Sequence, residues 1–230
     1  MALFQFFRST VGLKILMALS GLILFGFVFA HMAGNLQIFL GSDALNGYAH
    51  FLQSTPEILW PFRIVLFLAV VTHILAGYGL YIHNKIARGP IDYSRNAATK
   101  ASLASRTMAY SGTVVLVFII FHLLQFTVMA INPEYAAYVD SQNHHDVYRM
   151  VIVAFSSPWV AWFYVISVGL LCYHMSHGVA SFFRSLGFTN EAYLPLQVWF
   201  ARIFSTVVFL GMVIIPLAVQ SGSLKLPDQP

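Results

Sequence analysis

Four histidines stand inside long apolar runs: His31, His73, His122 and His174. An imidazole in such surroundings has two uses. It can hydrogen-bond to a neighbouring helix, or its neutral ring can offer a lone pair to a metal, and iron accepts imidazole readily. A titratable group at bilayer depth is expensive and points to function. Taken singly, each histidine is better explained by the helix-to-helix bond. Their joint spacing asks for more, and it is read from the elements that carry them.

The chain has 230 residues, 59% of them hydrophobic and 9% charged, with a mean hydropathy of +0.75. A soluble domain is about a quarter charged, so this composition suits a bilayer. Five apolar runs are long enough to span, approximately residues 15–40, 58–82, 108–131, 159–183 and 196–220. In lipid the backbone must satisfy itself, so each run is expected to be helical. The polar connections between them include Gly41-Ser42-Asp43, Ala87 to Pro90, Asn132-Pro133-Glu134 and Leu186-Gly187. No repeat, low-complexity segment or soluble domain is visible, so residues 1–230 read as one all-α transmembrane domain. Arg8 and Lys14 ahead of the first run imitate a signal peptide, but the run exceeds a signal core of about 7–15 residues. It reads as a span that stays.

The net charge of +4 sits in short loops, which reads as membrane topology and not as a nucleic-acid surface. Arg8, Lys14, Lys85, Arg88, Arg95, Lys100, Arg106, Arg184 and Arg202 fall on one side, against Arg63, Arg149 and Lys225 on the other. By the positive-inside rule the first side is cytoplasmic, with the N-terminus in and the C-terminus out. A multi-pass protein of the inner (cytoplasmic) membrane is expected. The lone cysteine, Cys172, excludes an internal disulfide and a cysteine-only metal site.

Depth can now be counted. His31 and His122 each precede the outer end of their run by nine residues, and His73 and His174 each follow the outer start of theirs by fifteen. At 1.5 Å per residue these are depths of about 14 Å and about 22 Å. The histidines thus form an outer pair and an inner pair. Two imidazoles at one level suit bis-histidine haem ligation, whereas zinc usually takes three or four protein ligands at one point. Gly34 follows His31 by three residues, and Gly77 and Gly178 follow His73 and His174 by four. Those spacings put bare backbone on the histidine's own face. There it leaves room for a flat macrocycle, or serves close helix packing equally well. His177 shares the face of His174 and stays as a rival ligand. His83 sits at the inner end of the second run. His50, His144 and His145 fall in outer loops, where His144 and His145 are read as solvated. Arg63 and Arg149, each at the start of an inward run, are candidates to pair with haem propionates, since a buried carboxylate needs a cation. Facing lipid headgroups is the alternative.

At these residues the chain resembles the single-chain, five-helix, dihaem cytochrome b membrane anchor of succinate dehydrogenases and fumarate reductases, the succinate:quinone oxidoreductases. The resemblance covers nearly the whole chain. Its fragments are Gly26 to Asn35, Thr72 to Ile82, Phe121-His122, and Tyr173 to Gly178 running on to Ser181-Phe182. No fragment is a strict signature; their order, with one histidine on each of the first four helices, carries it. The resemblance implies two haem b groups, a distal one on His31 and His122 and a proximal one on His73 and His174. It implies a flavoprotein with FAD and an iron–sulfur protein on the cytoplasmic face, and a membrane quinone, commonly menaquinone, as electron partner. An oligomer of the whole complex stays open.

Another dihaem anchor, of a hydrogenase or formate dehydrogenase, also stays open. The respiratory cytochrome b puts two ligands on one helix, twice, unlike the four helices used here. A proton-coupled carrier would be expected to show a repeat or broken helices. Charged residues are nearly absent from the spans, so no dicarboxylate site is expected in this chain. Its reaction reduces to electron transfer and quinone binding. Polar groups for the quinone are Glu57, Arg63 and His50 at the outer end and His83, Ser105 and Arg106 at the inner end. The loop from Lys85 to Arg106, with five bases against Asp92, and the segment Phe6 to Thr10 are the expected docking surface.

Overall fold

The computed structural model describes Phe6 and residues 9–89, 106–188 and 190–226. The expected docking loop therefore lies outside the described residues over 90–105. Seven α-helices are described: α1 (Thr10–Asn35), α2 (Ser42–Gln53), α3 (Pro56–Arg88), α4 (Met108–Phe126), α5 (Val147–Ser156), α6 (Pro158–Ser185) and α7 (Leu194–Gln220). Short 3-10 turns cover Leu36–Leu40 and Pro133–Ala137. No strand is present among the described residues beyond an isolated bridge between Val139 and His145. Five helices are long and apolar enough to cross a membrane: Thr10–Leu40, Pro56–Ala87, Met108–Phe126, Pro158–Ser185 and Leu194–Gln220. Large apolar side chains such as Phe67, Val117, Ile166 and Ile203 stay exposed along them, as helices facing hydrocarbon require. Pro56 and Pro158 open α3 and α6, where a missing N–H costs nothing.

Besides α3, which runs six residues past the expected Ile82 to Arg88, three features depart from the sequence reading. The α1 helix begins at Thr10, five residues before the expected Ile15, because the Ser9 hydroxyl accepts the Gly12 N–H at 3.0 Å and caps it. The α4 helix stops at Phe126, short of the expected Ile131. Met129 turns to φ 58°, and the Val128 and Ala130 N–H groups close back on the Leu123 and Leu124 carbonyls, each at 2.8 Å. The residues beyond are apolar, so hydropathy alone could not see this stop. His122 is thus four residues from its helix end, and the equality of depths was partly a miscounted boundary.

The third departure is the pair of short helices, α2 and α5. Buried Asn46 joins them: its amide donates to Asp146 at 3.0 Å and its carbonyl accepts the Tyr148 N–H at 2.9 Å. Asp146 caps α5 by accepting the Arg149 N–H at 2.9 Å. Arg149 consequently belongs to α5, not to the start of a spanning helix as expected. Its guanidinium lies 4.7 Å above the Tyr138 ring centre. Arg63, eight residues into α3, lies 5.3 Å from that of Trp60.

The chain divides into two compact units. One comprises Met1–Phe27, Ile64–Thr113 and Tyr173–Ser205 and holds His73 and His174. Its core includes Val179, Ala180 and Ala201, with Phe25, Phe182 and Phe183 packed on them. The other comprises Val28–Arg63, Val114–Cys172 and Thr206–Pro230 and holds His31 and His122 together with α2 and α5. Tyr135, Met150 and Ala154 anchor a core there. Each of the five long helices supplies one segment to each unit.

Candidate functional site: two histidine pairs

Within one unit α1 and α4 bring His31 and His122 together, with ring centres 5.7 Å apart and planes at 87°. Within the other, α3 and α6 bring His73 and His174 together at 6.3 Å and 68°. An imidazole nitrogen lies about 2 Å from a bound transition metal and about 1.1 Å from its own ring centre, so two axial imidazoles on one ion hold their centres about 6.2 Å apart. Both pairs stand near that separation. Among the described residues no group of three or more His, Cys, Asp or Glu side chains could hold a metal ion. Each pair is a two-ligand arrangement, which fits the axial positions of haem iron and leaves a closed zinc site unsupported.

The hydroxyl groups beside the rings decide which nitrogen is free. Ser20 on α1 lies 3.3 Å from Nδ1 of His73, and its own proton goes to the Leu16 carbonyl at 2.6 Å. Ser111 on α4 lies 3.1 Å from Nδ1 of His174 and donates to the Met108 carbonyl at 3.2 Å. Tyr164 on α6 lies 3.3 Å from Nδ1 of His122 and donates to Oε1 of Gln125 at 2.8 Å. A hydroxyl has one proton. A ring that donates its Nδ1–H to such a hydroxyl keeps an open lone pair on Nε2. That is the tautomer an Nε2 metal ligand requires. His31 differs: the Asn35 amide lies 3.4 Å from its Nε2 while also donating to the His31 carbonyl at 2.8 Å. A ligand at that nitrogen would replace the first contact.

Gly34 packs elsewhere than at a histidine: a Cβ there would meet Cε1 of Tyr48 at 2.8 Å. One on Gly77 would meet the Met17 methyl at 3.5 Å, and one on Gly178 would meet nothing within 4 Å. The glycines that touch the rings are Gly21 and Gly112, whose Cβ atoms would stand 3.2 and 3.3 Å from Cε1 of His73 and His174. The sequence reading passed over both, although a signal was present. Ser20-Gly21 precedes His31 as Ser111-Gly112 precedes His122, with nine residues between glycine and histidine in each case. The two helices thus repeat one pattern, serving one pair with Ser-Gly and the other with histidine.

His177 turns to its own helix, with Nε2 at 3.0 Å from Ser181, which in turn accepts from Arg184 at 3.1 Å. His174, one turn earlier, is the residue that faces His73. Of the histidines expected in outer loops, His50 lies in α2, and His144 and His145 are not simply solvated. His50 and His144 stack at 3.7 Å and 12°, and Nδ1 of His145 lies 3.2 Å from the Tyr138 carbonyl, its Nε2 buried. Glu57, Arg63, His83 and Arg106 are exposed. Ser105 lies outside the described residues.

The chain is similar to the succinate dehydrogenase cytochrome b558 subunit of Bacillus subtilis (strain 168), at 28% identity over 165 residues, which is 71% of this chain and 73% of that protein. No family model matches the chain, and no solved structure matches it significantly.

Proposed function

We propose that this relative of the succinate dehydrogenase cytochrome b subunits is a dihaem membrane anchor, carrying electrons between an iron–sulfur subunit and membrane quinone. The observation that carries the reading is the presence of two histidine pairs, with ring centres 5.7 and 6.3 Å apart, which could hold one haem each. His31 and His122 would hold the distal haem b, and His73 and His174 the proximal one. Haem b, when bound, supplies a one-electron ferric–ferrous couple. The protein's part is to present Nε2 at each level, fix the ring through Nδ1, and keep water out with apolar helices. Succinate chemistry then belongs to a flavoprotein partner carrying FAD, and electron delivery to an iron–sulfur partner, both on the cytoplasmic face. The basic loop from Lys85 to Arg106 would meet them. Menaquinone is the quinone that the family resemblance supports. Arg63 and Arg149, each exposed and beside an aromatic ring, remain the cations proposed for the propionates.

Purified in its complex, the chain is expected to carry two haem b per copy by alkaline pyridine spectrum against protein mass. A content of one, or none, would sink the reading. The charge asymmetry supports N-in/C-out insertion in the inner membrane. A phosphatase reporter fused at the C-terminus should therefore be active, and an inactive one would remove or add a span.

A further inference from the structure

Three histidines have a hydroxyl beside Nδ1, and one of those hydroxyls, that of Tyr164, donates to another side chain. We propose that Tyr164 and Gln125 are positioning residues that lower the potential of the haem held by His31 and His122, acting through the Nδ1–H of His122. This deepens the haem reading and rests on it.

Tyr164 and Gln125 are 6% and 2% exposed, near the start of α6 and at the end of α4. A buried amide is costly unless bonded, so Gln125 needs a reason to be there. It follows His122 by three residues and therefore shares its face on α4. Its Oε1 takes the Tyr164 proton at 2.8 Å. The Tyr164 ring is held from several sides, its centre 5.2 Å from Phe118, 5.8 Å from Phe126 and 5.1 Å from Phe155. The phenol oxygen therefore cannot swing away from His122. Ser20 and Ser111, in contrast, end on backbone carbonyls of their own helices.

With the phenol proton on Gln125, the proposed chain of donors runs one way: imidazole to phenol, phenol to amide. An acceptor that donates onward is itself a better acceptor, because each bond polarises the next. Electron density is thereby left on the imidazole ring, and a more basic axial ligand favours the ferric state. Without the phenol, Nδ1–H would be buried without a partner and the ring would be both less basic and free to turn.

The test uses the intact complex and redox titration of both haems. The two potentials are assigned with a His73→Ala variant that keeps only the other haem. Tyr164→Phe should retain two haems and raise the potential of the His31–His122 haem alone. The expected shift is about tenfold in its ferric–ferrous equilibrium, about 59 mV for one electron. Gln125→Met, which keeps the phenol, should move it the same way by less, and Gln125→Glu should restore it. Two haems with both potentials unmoved in Tyr164→Phe, or both moved equally, would overturn the proposal while leaving the haem reading intact. If Tyr164→Phe loses a haem, Gln125→Met decides, and an unmoved potential there overturns the proposal as well.

Discussion

Replacing His122 with alanine is expected to remove one haem and leave the other. The two pairs belong to different compact units, and each offers only two imidazoles, so neither haem can borrow a ligand. The loss is more than one coordinate bond. Tyr164 would also lose its hydrogen bond with Nδ1 of His122, worth about 0.5–1.5 kcal/mol, while keeping the one to Gln125. His31→Ala should behave alike, and His73→Ala and His174→Ala should remove the other haem. His177→Ala should keep both, since its ring is engaged with Ser181 on its own helix. Haem content and the reduced-minus-oxidised spectrum of each variant read the outcome. If His177→Ala lost a haem while His174→Ala kept two, the assignment on α6 would be wrong. The reading of α6 as supplying the partner of His73 would fall with it.

Filling the space beside an inner ring should be nearly as damaging as removing it. A Cβ on Gly21 stands 3.2 Å from His73, and one on Gly112 stands 3.3 Å from His174. Leucine at either position adds a branched side chain where the ring already sits. Overpacking a well-packed interior costs about 1–3 kcal/mol even when neighbours yield. Here the neighbour is a ring tied through Nδ1 to the adjacent serine. Moving it breaks that tie and shifts the ring out of its pairing with the other histidine. Gly21→Leu and Gly112→Leu are therefore expected to lose the haem of His73 and His174 and to retain the other. Gly26→Ala, on the same α1 helix with nothing within 4 Å of its added carbon, should keep both. Retention of two haems in both leucine variants would show that the rings lie elsewhere when loaded.

The sequence by itself determined the spanning helices and the four histidines. A span is legible because hydrocarbon thickness imposes a length and hydropathy is a local property. Hence five apolar runs correspond to five long helices. His31, His73, His122 and His174 are legible because a polar ring in such a run is conspicuous. Where the signal was not hydropathy, the reading failed. The stop of α4 at Phe126 depends on backbone geometry at Met129, and α2 and α5 depend on Asn46 reaching Asp146 across 100 residues. The close approach of Gly21 to the ring of His73, from another helix, carried no hydropathy signal either. Only tertiary structure decided which atom stands beside Nδ1 in three of the imidazoles. Ser20 lies 53 residues from His73, Ser111 lies 63 from His174, and Tyr164 lies 42 from His122. A proton's position on a ring is set by whatever hydrogen-bonding atom the fold brings to it, and for these three rings that atom comes from another helix.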